Sequence, residues 1–288
     1  MAIRERTLAM GITGSGKSFQ WLKMAEILLP TGAIFRCIDT DNDIPYMIET
    51  QFPRLLPENG GNVFVHPAFD WPEYQHSVKW ITHQLTAEQL KNTDSYLVKA
   101  YNMPIKPDDW VVTDKINSAW KTVQNYFVTS VFGDDPGEYF LMIRKQIEDG
   151  LRKTAKGGQP ASTITEGLDG WKDWSVINKL YDDWILPIIY RVKCHVYAAT
   201  DVDVLDRGNK DVEMQQLFGD LGIKPAGQKS LGGQHHSIFL LIPGKDKWFI
   251  TTIKDRAGRP YFKRVTLVSF YHQYLVTKAG WPILRREG

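Results

Sequence analysis

Cysteine is almost missing from this chain: Cys37 and Cys194 are the only two among 288 residues. Both sit in apolar, strand-like runs, which suits buried free thiols in a reducing compartment. A disulfide scaffold is excluded, and no Cys/His spacing resembles a zinc site. No apolar run approaches the roughly 18 residues that a membrane-crossing helix needs. The opening MAIRERTLAM enters a strand directly, without the apolar core of a secretory signal. These absences lead to the expectation of a soluble, cytoplasmic protein with no membrane partner. Repeats, heptads and low-complexity tracts are also missing.

Neither sign of charge dominates: 35 Lys and Arg face 33 Asp and Glu, a net of +2. The balance conceals an asymmetry. Residues 245–288 hold ten Lys/Arg and three Asp/Glu, a net of +7, whereas the preceding 244 residues carry −5. A basic C-terminal segment on an acidic body fits a polyanionic partner, or else a solvated surface with none. Hydrophobic residues at 43% and charged residues at 24% exclude global disorder. At roughly 150 residues per domain the length suits one large domain or two small ones, and a chain this long buries a core without staples.

Seven short segments read as strands from their length and β-branched or aromatic content: Thr7–Met10, Ala33–Ile38, Val63–His66, Trp110–Thr113, His195–Ala199, Ser237–Ile242 and Trp248–Ile253. Several are apolar at consecutive positions, as in a parallel sheet covered on both faces. Helical patterns lie between them. Lys17–Leu29 is stopped by Pro30, and Asp70 with Pro72 opens a helix toward Leu85. Ser118–Val131 and Gly137–Thr154 are amphipathic, and Trp171–Val192 is long, with a kink expected at Pro187. The alternation predicts an α/β fold with a mostly parallel sheet sandwiched by helices, ending in a C-terminal β-hairpin at one edge of the sheet, around Pro243–Asp246. Ala155–Gly170 and Leu205–Gln234 read as long loops.

The strongest signal is Gly11-Ile-Thr13-Gly14-Ser15-Gly16-Lys17-Ser18, which matches G-x-x-x-x-G-K-[ST]. It stands directly after one expected strand and before an expected helix, where phosphate binding needs it. The glycines let the backbone wrap around phosphate oxygens, and the N–H groups through Phe19 point at the anion. Lys17 then reaches the β- and γ-phosphates of ATP, and Ser18 holds Mg²⁺. A second Mg²⁺ carboxylate comes from Asp114, at the end of the strand Trp110–Thr113; the alternative is a cap for the following helix. Asp39 and Asp41 close the second strand. A carboxylate there either orients the attacking water or belongs to a turn-forming cluster.

The order of these pieces resembles the RecA-like ATPases, among them RecA recombinases, DnaB-type helicases and small phage-encoded relatives. Ile38-Asp39-Thr40-Asp41 is similar to the run whose last acid is the RecA catalytic base, one methylene shorter here. Val111-Val-Thr-Asp114-Lys115 is similar to the end of the family's Walker B strand. Ile253-Lys254-Asp255-Arg256-Ala257-Gly258 is similar to the late segment that reaches the γ-phosphate held by a neighbouring subunit. The resemblance implies that Lys254 and Arg256 act in trans and that the active form is a homo-oligomer; the alternative is an exposed basic hairpin tip. Thr200 falls at the sensor position. The Leu205–Gln234 loop falls where the family binds DNA, and its Arg207, Lys210, Lys224 and Lys229 either follow a single-stranded nucleic acid or belong to an ordinary surface loop. The resemblance covers about residues 5–50, 105–120 and 190–265. It implies one domain over 1–288 with helical insertions near 67–105 and 120–190. Size and the late basic segment look most like phage recombination ATPases, which would place the protein in a host cytoplasm. Two other readings stay open: a nucleotide-gated assembly or packaging ATPase that binds no DNA, and a P-loop small-molecule kinase.

Some residues tempt without a pattern behind them. The chain has ten tryptophans, mostly at helix or strand spacing, which favours packing over base stacking. His235-His236 lacks a partner at metal-ligand spacing, and Ser162, Thr163 and Thr165 have no nearby histidine.

Overall fold

Six of the seven expected strands run parallel in one sheet. The computed structural model describes residues 4–134, 136–154, 158–161, 172–206, 208 and 211–284. Its strands are β1 (Arg6–Met10), β2 (Phe35–Asp39), β3 (Val63–Pro67), β4 (Trp110–Asp114), β5 (His195–Thr200), β6 (Val202–Val204), β7 (Ile223–Pro225), β8 (Ser237–Pro243), β9 (Trp248–Asp255) and β10 (Val265–Leu267). The helices are α1 (Lys17–Leu28), α2 (Asp43–Gln51), α3 (Trp71–Ile81), α4 (Ala87–Lys91), α5 (Ser95–Tyr101), α6 (Ile116–Val131), α7 (Glu138–Glu148), α8 (Lys172–Leu186), α9 (Val212–Phe218) and α10 (Leu231–Gln234). Eight strands form the main sheet in the order β10-β9-β8-β1-β5-β4-β2-β3, and β6 and β7 form a separate antiparallel pair. The α/β class, with a mostly parallel sheet between helices, is the observed architecture.

The sheet is buried on both faces because its strands are apolar at both parities. Leu8, Ile38, Val111, Val196 and Ile238 face one core with α3, α6 and α8. Their neighbours Ala9, Cys37, Val112, Tyr197 and Phe239 face the other, with α1 and α2. That is the period-2 alternation of strands in a covered sheet. The first core also takes Trp71, Tyr74 and Val78 of α3, Phe127 of α6, Ile143 of α7 and Ile177 of α8. The two helical stretches that carry no motif are therefore joined to the sheet by one continuous apolar face. Cys37 and Cys194 are buried free thiols.

Local signals place the helix ends. Asp70 accepts from the backbone N–H of Glu73 at 2.8 Å, and Pro72 lies in the first turn of α3. The helix expected over Gly137–Thr154 stops at Glu148 because Gly150 takes a left-handed φ of 64°. Pro187 starts a π-helical turn, Pro187–Arg191, after α8.

Two expectations need correction. Among the described residues, Leu205–Gln234 is not all loop: 212–234 holds α9, β7 and α10, with Asp211 capping α9 through the Met214 N–H at 3.1 Å. The β8–β9 hairpin is not the sheet edge, because β10 pairs antiparallel with β9. Most of Ala155–Gly170 lies outside the described residues.

One buried ion pair ties β2 and the start of β4 to their surroundings. Arg36 on β2 and Asp109 before β4 are 1% and 0% exposed and sit 3.1 Å apart. Arg36 Nη2 also donates to the carbonyls of Ala100 (3.1 Å) and Met103 (2.9 Å). Asp109 accepts from the N–H groups of Ile34 (2.9 Å) and Lys106 (3.0 Å).

Candidate phosphate-binding site

The glycine loop leaves β1 at the carboxyl edge of the sheet and enters α1 at Lys17. Gly16 has φ 85°, the left-handed backbone that turns the chain into the helix. Gly11 serves space instead: a Cβ there would lie 2.4 Å from the Leu241 carbonyl oxygen. The first N–H groups of α1 have no partner within the helix and face the loop.

Lys17 is 7% exposed, and its ammonium donates to the carbonyls of Gly11 (2.7 Å) and Ile12 (3.1 Å) and pairs with Asp201 Oδ1 at 3.2 Å. Burial pulls its pKa down, against upward pulls from Asp201 and Asp114. Thr13, Gly14, Ser15, Gly16, Lys17, Ser18 and Phe19 line one cavity of about 300 Å³ together with Asp41, Asp114, Lys115, Asp201 and Trp248. Loop and carboxylates, far apart in the chain, thus meet at one place.

Asp114 ends β4 and is 2% exposed. Burial raises its pKa, and hydrogen bonds from Trp21 and Ser18 oppose the rise. The Trp21 Nε1–H donates to Asp114 Oδ2 at 3.0 Å, fixing the carboxylate's orientation. Asp39 lies beside Asp114 in the β2–β4 register. It accepts from the N–H groups of Asp41 (3.3 Å) and Ile44 (3.2 Å), so it holds the turn into α2. Burial and the neighbouring Asp41 push Asp39 up to about 7. Asp41 is ion-paired with Lys115. Burial pushes Asp41 up, but Lys115 outweighs it and leaves the carboxyl below its usual range.

Three residues at or beside the cavity escaped sequence reasoning. Asp201 follows β5, which lies next to β1 in register Met10↔Thr200, so it emerges beside Lys17. Asn117 braces this corner: its Oδ1 accepts from Thr200 Oγ1 and the Asp201 N–H, both at 3.3 Å. The Thr200 hydroxyl also donates to the Ala226 carbonyl at 2.9 Å, which places it behind the cavity wall. The third is Trp248, at the start of β9. Its Nε1–H donates to the Gly14 carbonyl at 3.0 Å, and its ring centroid lies 4.9 Å from that of Phe19. A Cβ on Gly16 would come within 2.9 Å of this indole, so the ring lies flat against the loop. A strand-edge acid two residues past an apolar run was the available signal for Asp201; for Trp248 there was none beyond its place at the hairpin. Trp248→Ala should loosen nucleotide about five- to tenfold, with Trp248→Phe between it and the parent, since one hydrogen bond is worth about 1 kcal/mol. Titration with a fluorescent ADP analogue checks this; equal affinities would sink the bracing role.

The remaining candidates lie elsewhere. β9 runs antiparallel to β8 with Pro243 opposite Trp248 and Ser237 opposite Asp255, so Lys254 and Arg256 sit at the end of the sheet away from this chain's own loop. Lys254 is only 9% exposed and donates to the Gly232 carbonyl at 3.0 Å. Arg256 is exposed and donates to the Gly233 carbonyl at 3.0 Å. Of the pair, the fold brings Arg256 to the surface and turns Lys254 inward. Lys224 lies on the β6–β7 ribbon opposite Asp203. Lys229 pairs with Asp211 at 2.9 Å. Arg207 and Lys210 lie outside the described residues. Among the described residues, no cluster of three or more His, Cys, Asp or Glu could hold a metal by itself. Among them, too, no helix is long and apolar enough to cross a membrane.

No protein-family model matches this chain, and no curated protein matches it. Among solved structures it is similar to the RadB recombinase, at 15% identity and a TM-score of 0.44, over 91% of this chain and 86% of that one. It is also similar to a KaiC-like protein from the hyperthermophilic archaeon Pyrococcus horikoshii OT3, at 12% identity and a TM-score of 0.41, over 92% and 86%.

Proposed function

We propose that this chain is a RecA-like ATPase that binds and hydrolyses ATP and acts on single-stranded DNA in recombination or replication, as a homo-oligomer. Residues 1–288 act as one ATPase domain, with the stretches 67–105 and 120–190 inserted in it. The observation that carries the reading is the meeting of Lys17, Ser18 and Asp114 in one cavity under a glycine loop at the carboxyl edge of a parallel sheet.

The donor set fits Mg²⁺: Ser18 would offer a hydroxyl and Asp114 an oriented carboxylate, the oxygen donors that such an ion prefers. Bound there, the ion would neutralise charge on the β- and γ-phosphates. The protein's own groups do the rest. The loop N–H groups orient the phosphates, and Lys17 exchanges its loop carbonyls for phosphate oxygens. Asp41 takes a proton from the attacking water. Arg256 of a second copy meets the charge that develops on the far side, as its place at the opposite end of the sheet requires.

The test is ATP turnover with and without single-stranded DNA, with Lys17→Ala as the blank. Stimulation several-fold or more is expected, and it should fade steeply as salt is raised because phosphate contacts release counterions. Slow turnover that ignores DNA would reject the DNA-coupled part. The nucleotide-gated assembly reading would then take its place; the Asp41–Lys115 ion pair favours it, because it occupies the candidate base.

A further inference from the structure

Among the described residues, Lys115 is the only cation besides Lys17 that lines the cavity, and the resemblance gives it no role. It follows Asp114 and precedes α6, with φ 52° and ψ 53°. Left-handed backbone is costly for a residue with a side chain, and such outliers persist only where their surroundings hold them. Here the Thr40 hydroxyl does so, donating to the carbonyls of Asp114 (3.1 Å) and Lys115 (3.3 Å). The result is an ammonium aimed into the cavity, ion-paired with Asp41 and 4.0 Å from Asp43. Lys115 is 29% exposed and Asp41 21%. With the ammonium partly exposed, the pair adds only modestly to folding, and stability alone does not explain the strain.

The charge arrangement does. Among the described residues, Asp41, Asp43, Asp114 and Asp201 line the cavity against only Lys17 and Lys115. A polyanion entering it meets an excess of carboxylates unless a cation is freed for it. We propose that Lys115 is a second phosphate cation, held in reserve by Asp41. The terminal phosphate of a nucleoside triphosphate takes over the Lys115 ammonium, and the same exchange releases the Asp41 carboxylate for the water. A diphosphate lacks the group that drives the exchange, so Lys115 separates triphosphate from diphosphate. This rests on the reading of the glycine loop as a nucleotide site.

The experiment measures the affinity of the full chain for Mg²⁺·ATPγS and Mg²⁺·ADP by calorimetry. Lys115→Met should loosen ATPγS roughly tenfold and leave ADP within about twofold, as befits the loss of one charge-assisted hydrogen bond. Lys115→Gly should do the same; glycine adopts this backbone freely, so a loss there is not misfolding. Asp41→Asn should tighten ATPγS several-fold, because Lys115 loses its competitor. The double variant Lys115→Met/Asp41→Asn should return to the value of Lys115→Met. An unchanged ATPγS-to-ADP ratio in Lys115→Met, or weaker ATPγS binding by Asp41→Asn, overturns the exchange while nucleotide binding itself stands. No binding of either nucleotide by the parent protein overturns the loop reading and the exchange together.

Discussion

Lys17→Ala should lower ATP turnover by about two to three orders of magnitude, the cost of removing one preorganised donor from a developing charge. The effect is large because the ammonium is nearly buried, with its position set by two loop carbonyls and Asp201. Water cannot replace it at that depth. Lys17→Arg should rescue little, since a planar guanidinium does not fit a site shaped for a compact ammonium. Melting temperature should move little in either variant, which separates lost chemistry from lost folding. Turnover above a tenth of the parent's in Lys17→Ala would mean that hydrolysis takes place elsewhere.

Arg36→Met should be the most destabilising single change, at about 3–5 kcal/mol, because it strands a buried carboxylate. Asp109 is fully buried, and its remaining partners are two backbone N–H groups. The carbonyls of Ala100 and Met103 lose their shared donor at the same time. A fall of roughly 10 °C in melting temperature follows from that range. Arg36→Met/Asp109→Leu should recover much of the loss, since an apolar pair avoids the desolvation of both charges. A urea melt reads both results; a single variant within 1 kcal/mol of the parent would show that Asp109 finds a new partner.

Much of this architecture can be read from the chain because its signals are local. A strand buried on both faces announces itself by an apolar run, and the glycine loop by spacing alone. Asp114 is legible because an apolar strand ends on it. Asp201 and Trp248 are not, because they reach the loop through the sheet order: β5 and β8 flank β1 although both come late in the chain. Arg36 escapes notice for a related reason, as its partner Asp109 lies 73 residues away. The segment 205–234 reads as loop because α9 spans only seven residues, α10 four and β7 three, too short for periodicity to rise above the glycines around them. Lys254 misleads in the other direction. A basic motif near a hairpin suggests an exposed tip, yet its place on β9 turns it under Gly232.

The short β10 strand has a consequence for how copies of this chain can meet. An open sheet edge invites another chain to extend it by backbone pairing, the route to uncontrolled aggregation. Here the outermost strand on one side offers three residues, and on the other β3 ends in Pro67, which has no N–H to donate. The Val65 carbonyl on that strand is already engaged by the Tyr96 hydroxyl at 2.6 Å. Strand-to-strand growth is therefore blunted at both borders, and any association between copies is left to side chains and loops.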